Sequence, residues 1–198
     1  MSNITIRPIQ TQEIADVASL ISTGFYNDIF FKWVVDKDED RHRIITEYYK
    51  IYLNAKGTVC HVAENKNKEI VGATVWLPHD VDTSIYSDID EVAGIHAPNF
   101  KAVADKSHDN EPTGTPFYQL VGIVVDKKAQ GAGISNMLLG YQINILDAQG
   151  IPTYLEASTP YDGGGMYGKF GYQPFGQLMH FTQTAVLYPL WRPVPQTI

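Results

Sequence analysis

The chain has 198 residues, 44% of them hydrophobic, enough to bury a substantial core as one domain over 1–198 without covalent staples. Its formal charge of −7 argues against nucleic acid as a partner, because phosphate contacts need clustered Lys and Arg; it suits either a cationic ligand or simple solubility. One cysteine, Cys60, excludes an internal disulfide, no apolar run approaches the roughly 18 residues of a membrane span, and no basic-then-apolar leader opens the chain, so the expectation is a cytoplasmic protein with no membrane partner.

Ile4 to Pro8 alternates as a short strand that proline stops. Thr11 is placed to cap a helix with Glu13 in its first turn, Ile14, Val17, Ala18 and Ile21 facing the core, and Gly24 at its end. Phe25 to Val35 gathers aromatics around Asp28 and by itself reads as ordinary aromatic core. Asp38-Glu39-Asp40 opens a second helix with a stripe of Ile44, Ile45, Tyr48 and Tyr52, closed by Gly57. Thr58–Glu64 and Glu69–Leu77 read as a hairpin about Asn65 to Lys68, ended by Pro78. Residues 79–116 are rich in Asp, Ser, Pro, Asn and Gly; Ile85, Ile89, Val92 and Ile95 suggest short helical turns. A connection this long in a compact domain points to function, here an irregular cover over a site.

The informative stretch is 117–175. Leu120 to Val125 is an apolar, β-branched strand; a glycine loop follows, then a helix whose face is read as Ile134, Met137, Leu138, Tyr141, Ile145 and Ala148. Strand, glycine loop and helix N-terminus aim main-chain N–H groups at an anion. A triphosphate loop would end in Gly-Lys-Ser/Thr, and there is no lysine here; a dinucleotide fingerprint would need a third glycine where Asn136 stands. Pro152 to Ser158 reads as the next strand. Gly176 to Tyr188 then reads as two final strands with a turn near Gln177 to His180, and Pro189 to Pro195 as an extended surface tail.

Gln130-Gly131-Ala132-Gly133-Ile134-Ser135 resembles the pyrophosphate loop of the GCN5-related N-acetyltransferases, Gln/Arg-x-x-Gly-x-Gly/Ala, with Ser135 in place of the last small residue. Tyr167 to Tyr172 resembles the same family's Tyr-x-x-x-Gly-Phe signature, with Tyr172 for Phe. The likeness is specific over 117–176 and extends to most of the chain; Trp76-Leu77-Pro78 and Leu155 to Ser158 are loosely similar to the puromycin N-acetyltransferase branch. It implies an α/β fold: one mixed, mostly antiparallel sheet of about seven strands flanked by helices, split in a V where the cofactor enters.

It also implies acetyl transfer from acetyl-CoA to a primary amine of a small molecule by direct attack in a ternary complex, with Phe25 to Val35 a candidate wall of the acceptor pocket; many relatives pair through the late strands, which leaves a homodimer open. By the same resemblance, Ile123, Val124 and Val125 pair with the pantetheine arm, and Gln130, Gly131, Ala132, Gly133, Ile134 and Ser135 surround the pyrophosphate. Tyr167 protonates the leaving thiolate. Asp162 stands near the place of a cofactor-touching asparagine, beside the extra glycines Gly163 to Gly165. For the base, Glu156 ranks ahead of His79 and Glu64, and a water chain is the alternative. No metal is implied: ligand-spaced His, Cys or carboxylate groups do not occur in the sequence. Two other functions stay open, a non-catalytic acyl-CoA sensor and an acetyltransferase for protein N-termini or lysines.

Overall fold

The computed structural model describes residues 4–195. Eight strands build the sheet: β1 (Thr5–Pro8), β2 (Val59–Glu64), β3 (Ile70–Pro78), β4 (Tyr118–Val125), β5 (Thr153–Ala157), β6 (Gln173–Pro174), β7 (Met179–His180) and β8 (Val186–Arg192). Their order is β1-β2-β3-β4-β5-β8-β6, with β7 also on β8. All pairs are antiparallel except β4 with β5. Seven helices flank it: α1 (Ile14–Phe25), α2 (Ile29–Val34), α3 (Asp38–Asn54), α4 (Ile85–Ala93), α5 (Ala97–Asn110), α6 (Ile134–Ala148) and α7 (Gly165–Lys169). No helix among the described residues is long and apolar enough to cross a membrane.

One face of the sheet packs Val62, Ala73, Val75 and Leu77 against Val17 and Ile21 of α1 and Ile44, Ile45 and Tyr49 of α3. The other packs Trp76, Leu120 and Leu155 against Leu139, Ile143 and Leu146 of α6. The feature that makes the site lies between β4 and β5. They pair only from Tyr118 to Leu120 with Thr153 to Leu155, so beyond Leu120 one edge of β4 has no strand partner. A register shift at Val75/Trp76, opposite this point in β3, bends the ladder where the strands part.

Several local expectations need correction. The first cap is Gln10, which forms a reciprocal capping box with Glu13; Thr11 belongs to a short 3₁₀ turn, and α1 runs through Gly24 to Phe25. Residues 79–116 are more regular than their composition suggests, holding both α4 and α5. The buried face of α6 is Ile134, Leu138, Leu139, Gln142, Ile143 and Leu146, while Met137, Tyr141 and Ile145 are exposed. A buried glutamine conceals the inward stripe, and a second apolar stripe imitates it. The presumed tail is β8, whose long pairing with β5 includes Glu156 opposite Pro189. Proline is tolerated there because the other flank is only the two-residue β6. Arg192 is buried in a bidentate pair with Asp147 of α6, at 2.6 and 2.7 Å. The final turn falls at Thr182 to Ala185, later than expected, with the Thr182 hydroxyl accepting from the N–H groups of Thr184 and Ala185.

Candidate active site

The glycine loop adopts the conformation its sequence requires. Gly131 and Gly133 have φ of +81° and +76°, in the left-handed region, and a Cβ on either would point into open space. Gly133 is the N-cap of α6, and the first helical bond is Met137 N–H to Gly133 O. Ile134, Ser135 and Asn136 therefore present main-chain N–H groups with no acceptor among the described residues. The Gln130 amide donates to Val125 O at 3.1 Å and ties the loop to the end of β4. Gln130, Gly131, Gly133, Ile134 and Ser135 line a cleft of about 290 Å³ together with Ile123, Val124, Val125, Ala129 and Met166. Unpaired donors, a helix N-terminus and no side chains in the way fit a phosphate-bearing ligand.

Of the residues expected here, Ala132 belongs to the loop but does not line the cleft, and Asp162 lies apart from it. The Asp162 carboxylate accepts from Gly164 N–H at 2.9 Å, turning its own loop. Met166, at the start of α7, joins the cleft unforeseen.

On the opposite side of the β4–β5 split is a cavity of about 810 Å³. Phe25, Phe30 and Phe31 form one wall, with Phe25 and Phe31 stacked at 5.2 Å. α3 adds Tyr48, Tyr49 and Tyr52; α4 and α5 add Tyr86, Phe100 and Ser107; β5 adds Glu156, and Ser158 follows just after it. The aromatic segment 25–35 is thus core and wall at once, since Trp33 stacks on Phe181 at 4.6 Å away from the lining. Asp28 caps α2 through the N–H groups of Phe30 and Phe31 and accepts from the Ser158 hydroxyl at 2.7 Å, fixing the wall to the end of β5. Acidic groups predominate in the lining: among the described residues Asp80, Asp90, Asp109, Glu111 and Glu156 have no lysine or arginine partner, while Lys101 is paired with Asp105.

Glu156 has no cation within ion-pairing reach among the described residues. Its carboxylate accepts from Ser107 at 2.8 Å and from Tyr154 at 3.1 Å. Burial outweighs these bonds and pushes its carboxyl up to about 7. Tyr167, on α7, packs its ring against Tyr172 at 5.8 Å, and burial pushes its phenol up to about 12, so it stays protonated near neutrality. It lines neither cleft nor cavity, although it lies close enough to Tyr49 to act on that phenol.

His79 borders the cavity. Glu64 does not: it accepts from Arg7 at 2.8 Å and Lys68 at 2.8 Å on the far edge of the sheet, a structural ion pair that removes it as a base. Cys60 is buried in β2, where desolvation raises its thiol to about 12, an inert state. The described residues hold no group of three or more His, Cys, Asp or Glu disposed to bind a metal.

Strand β4 joins the two spaces. Val121 lines the cavity and Ile123 the cleft, with Gly122 between them. The Tyr49 hydroxyl donates to Val121 O at 2.8 Å, and a Cβ on Gly122 would meet the Tyr49 ring at 2.9 Å. This glycine, which sequence reading passed over, allows the tyrosine to sit against the open edge.

No protein-family model and no curated protein matches the sequence. Solved structures do match the fold. The structure described as histone acetyltransferase HPA2 and related acetyltransferase, from Corynebacterium glutamicum, superposes with a TM-score of 0.71 at 20% identity, over 100% of this chain and 99% of the other. Arylalkylamine N-acetyltransferase 2 from Aedes aegypti gives 0.60 at 12% identity, over 98% and 100%. The NatC complex bound to Gag peptide and CoA gives 0.56 at 12%, over 97% and 99%. With its split sheet, glycine loop and helix order, the chain has the fold of the GCN5-related N-acetyltransferases.

Proposed function

We propose that the protein is an acetyl-CoA-dependent N-acetyltransferase whose acceptor is a primary amine of a small molecule. The observation that carries this reading is the shared β4 edge, which puts an anion-ready cleft and an acidic, aromatic cavity back to back at Gly122. Acetyl-CoA supplies the activated acetyl group; the N–H groups of Ile134, Ser135 and Asn136 hold its pyrophosphate, and the unpaired edge from Val121 to Val125 receives its extended arm. In the cavity, Glu156 takes the proton from the acceptor ammonium, and a carboxyl poised near 7 is suited to that exchange. Tyr167 returns a proton to the departing sulfur. Cys60 is inert and the Ser107 and Ser158 hydroxyls are committed to carboxylates, so the amine attacks directly rather than through a covalent intermediate.

The acceptor class follows from the walls. Aromatic faces attract an ammonium, and uncompensated carboxylates attract it further. α4 and α5 form one side of the cavity, which suits a small molecule better than a peptide lying in an open groove. Calorimetric titration with acetyl-CoA, with NAD and ATP as controls, tests the first half; thiol release across a panel of primary amines tests the second. Absence of acetyl-CoA binding overturns the proposal, and binding without turnover of any amine leaves a sensor instead.

A further inference from the structure

Glu156 is unusual among the acidic residues of the cavity in having both carboxylate oxygens engaged, and by neutral hydroxyls. One donor, Tyr154, comes from its own strand; the other, Ser107, comes from α5, on a segment far away in sequence. Among the described residues, the rest of its surroundings give it no positive charge. Tyr48 and Tyr52 approach from α3, Tyr86 from α4, and Glu111 from just beyond α5, with His79 and His108 disposed toward Glu111. The charged form of Glu156 thus depends on two hydroxyl donors, of which Ser107 makes the shorter bond.

α5 is also held in place along its length. Near its start, the Asn99 amide donates to Trp33 O at 3.1 Å and Val34 O at 3.2 Å. Near its end, Lys106 donates to His180 O, and the Asn110 side-chain oxygen accepts from Gln177 N–H at 3.2 Å. A helix pinned to α2, to the β6–β7 connection and to β7 delivers a serine at fixed position to a carboxylate on the central sheet.

We propose that Ser107 is a positioning residue for Glu156, so that the α4–α5 segment supplies part of the acid–base machinery as well as a wall of the cavity. The role rests on reading Glu156 as the base, and the chemistry is explicit. The Ser107 O–H donates to one carboxylate oxygen and keeps it anionic; a proton arriving from the acceptor ammonium adds to the carboxylate, and the serine loses nothing. Removing the hydroxyl leaves the anion less stabilised at the same burial, so the carboxyl holds its proton to higher pH.

The test uses Ser107→Ala and Ser107→Thr, the second keeping a hydroxyl. The carboxyl of Glu156 is titrated by NMR in the free protein with carbon-labelled glutamate, assigned by its loss in Glu156→Gln. The pH profile of kcat/KM is then measured with acetyl-CoA and an amine that the wild type turns over. In Ser107→Ala the carboxyl titration and the acid limb should both move up by about one pH unit, roughly tenfold in rate at a fixed pH on that limb; Ser107→Thr should stay close to wild type. An unmoved carboxyl titration in Ser107→Ala, or a uniform loss of rate with the limb in place, overturns the role of Ser107. A wild type inactive on every amine overturns the enzyme reading, and a fully active Glu156→Gln overturns the base; the NMR titration reports on Ser107 in either case.

Discussion

Gly133 separates two effects that a single substitution usually confounds. At φ +76° an L-residue carries a conformational cost of about 1–2 kcal/mol, yet a Cβ there meets no atom within 4 Å, so no packing cost adds to it. Gly133→Ala should therefore lower the melting temperature by a few degrees, at about 2–4 °C per kcal/mol for a chain of this size. Gly133→Glu carries the same backbone cost but places a carboxylate beside the free N–H groups of Ile134, Ser135 and Asn136. Two charges about 4 Å apart near a protein surface repel by about 4 kcal/mol, which corresponds to a loss of up to a thousandfold in affinity for a pyrophosphate. Thermal melting and calorimetry with acetyl-CoA on the two variants give both numbers. Equal acetyl-CoA affinity in wild type and Gly133→Glu would refute the assignment of this loop to the cofactor. Similar melting points in the two variants would show that their difference in binding is not a folding defect.

Tyr167→Phe should reduce turnover by about a hundredfold while acetyl-CoA affinity stays the same, since the phenol is asked only to donate a proton; full activity would remove it from the chemistry. Asp147→Ala strands the buried Arg192 guanidinium, which then retains only the Phe170 carbonyl among the described residues, and should destabilise the protein by about 3 kcal/mol in denaturant melts. Burial pushes the Glu156 carboxyl in the folded protein up to about 7, from an ordinary value of 4.5. Because the folded state binds this proton more tightly, its contribution favours folding below about pH 4.5 and is lost as pH rises through 7, a swing of roughly 3 kcal/mol. Glu156→Gln should thus be inactive, yet gain melting temperature over wild type at pH 8 and little at pH 5. An equal change at both values would refute the raised carboxyl.

What sequence reading captured is local in the chain. The strand, loop and helix of 118–148 are contiguous, so glycine spacing and apolar runs suffice to place the cleft, and nearly every residue expected there lines it. The cavity is assembled from α2, α3, α4, α5 and the end of β5, and a single sequence carries no record of which of these meet. Glu156 could be ranked but not separated from Glu64, because the difference lies in partners: Arg7 across the sheet for one, a serine 49 positions away for the other. Two further errors share a cause. Gln142 in the buried face of α6 and Pro189 inside β8 both break the patterns that identify helix stripes and strands. The buried Gln142 oxygen has no partner among the described residues, whereas Pro189 lies beside a strand too short to need its missing donor. Periodicity reports the average environment of an element, so it fails where one residue departs from that average. Glu156 is such a residue: a carboxylate on a buried strand, held by the hydroxyls of Ser107 and Tyr154 rather than by a cation.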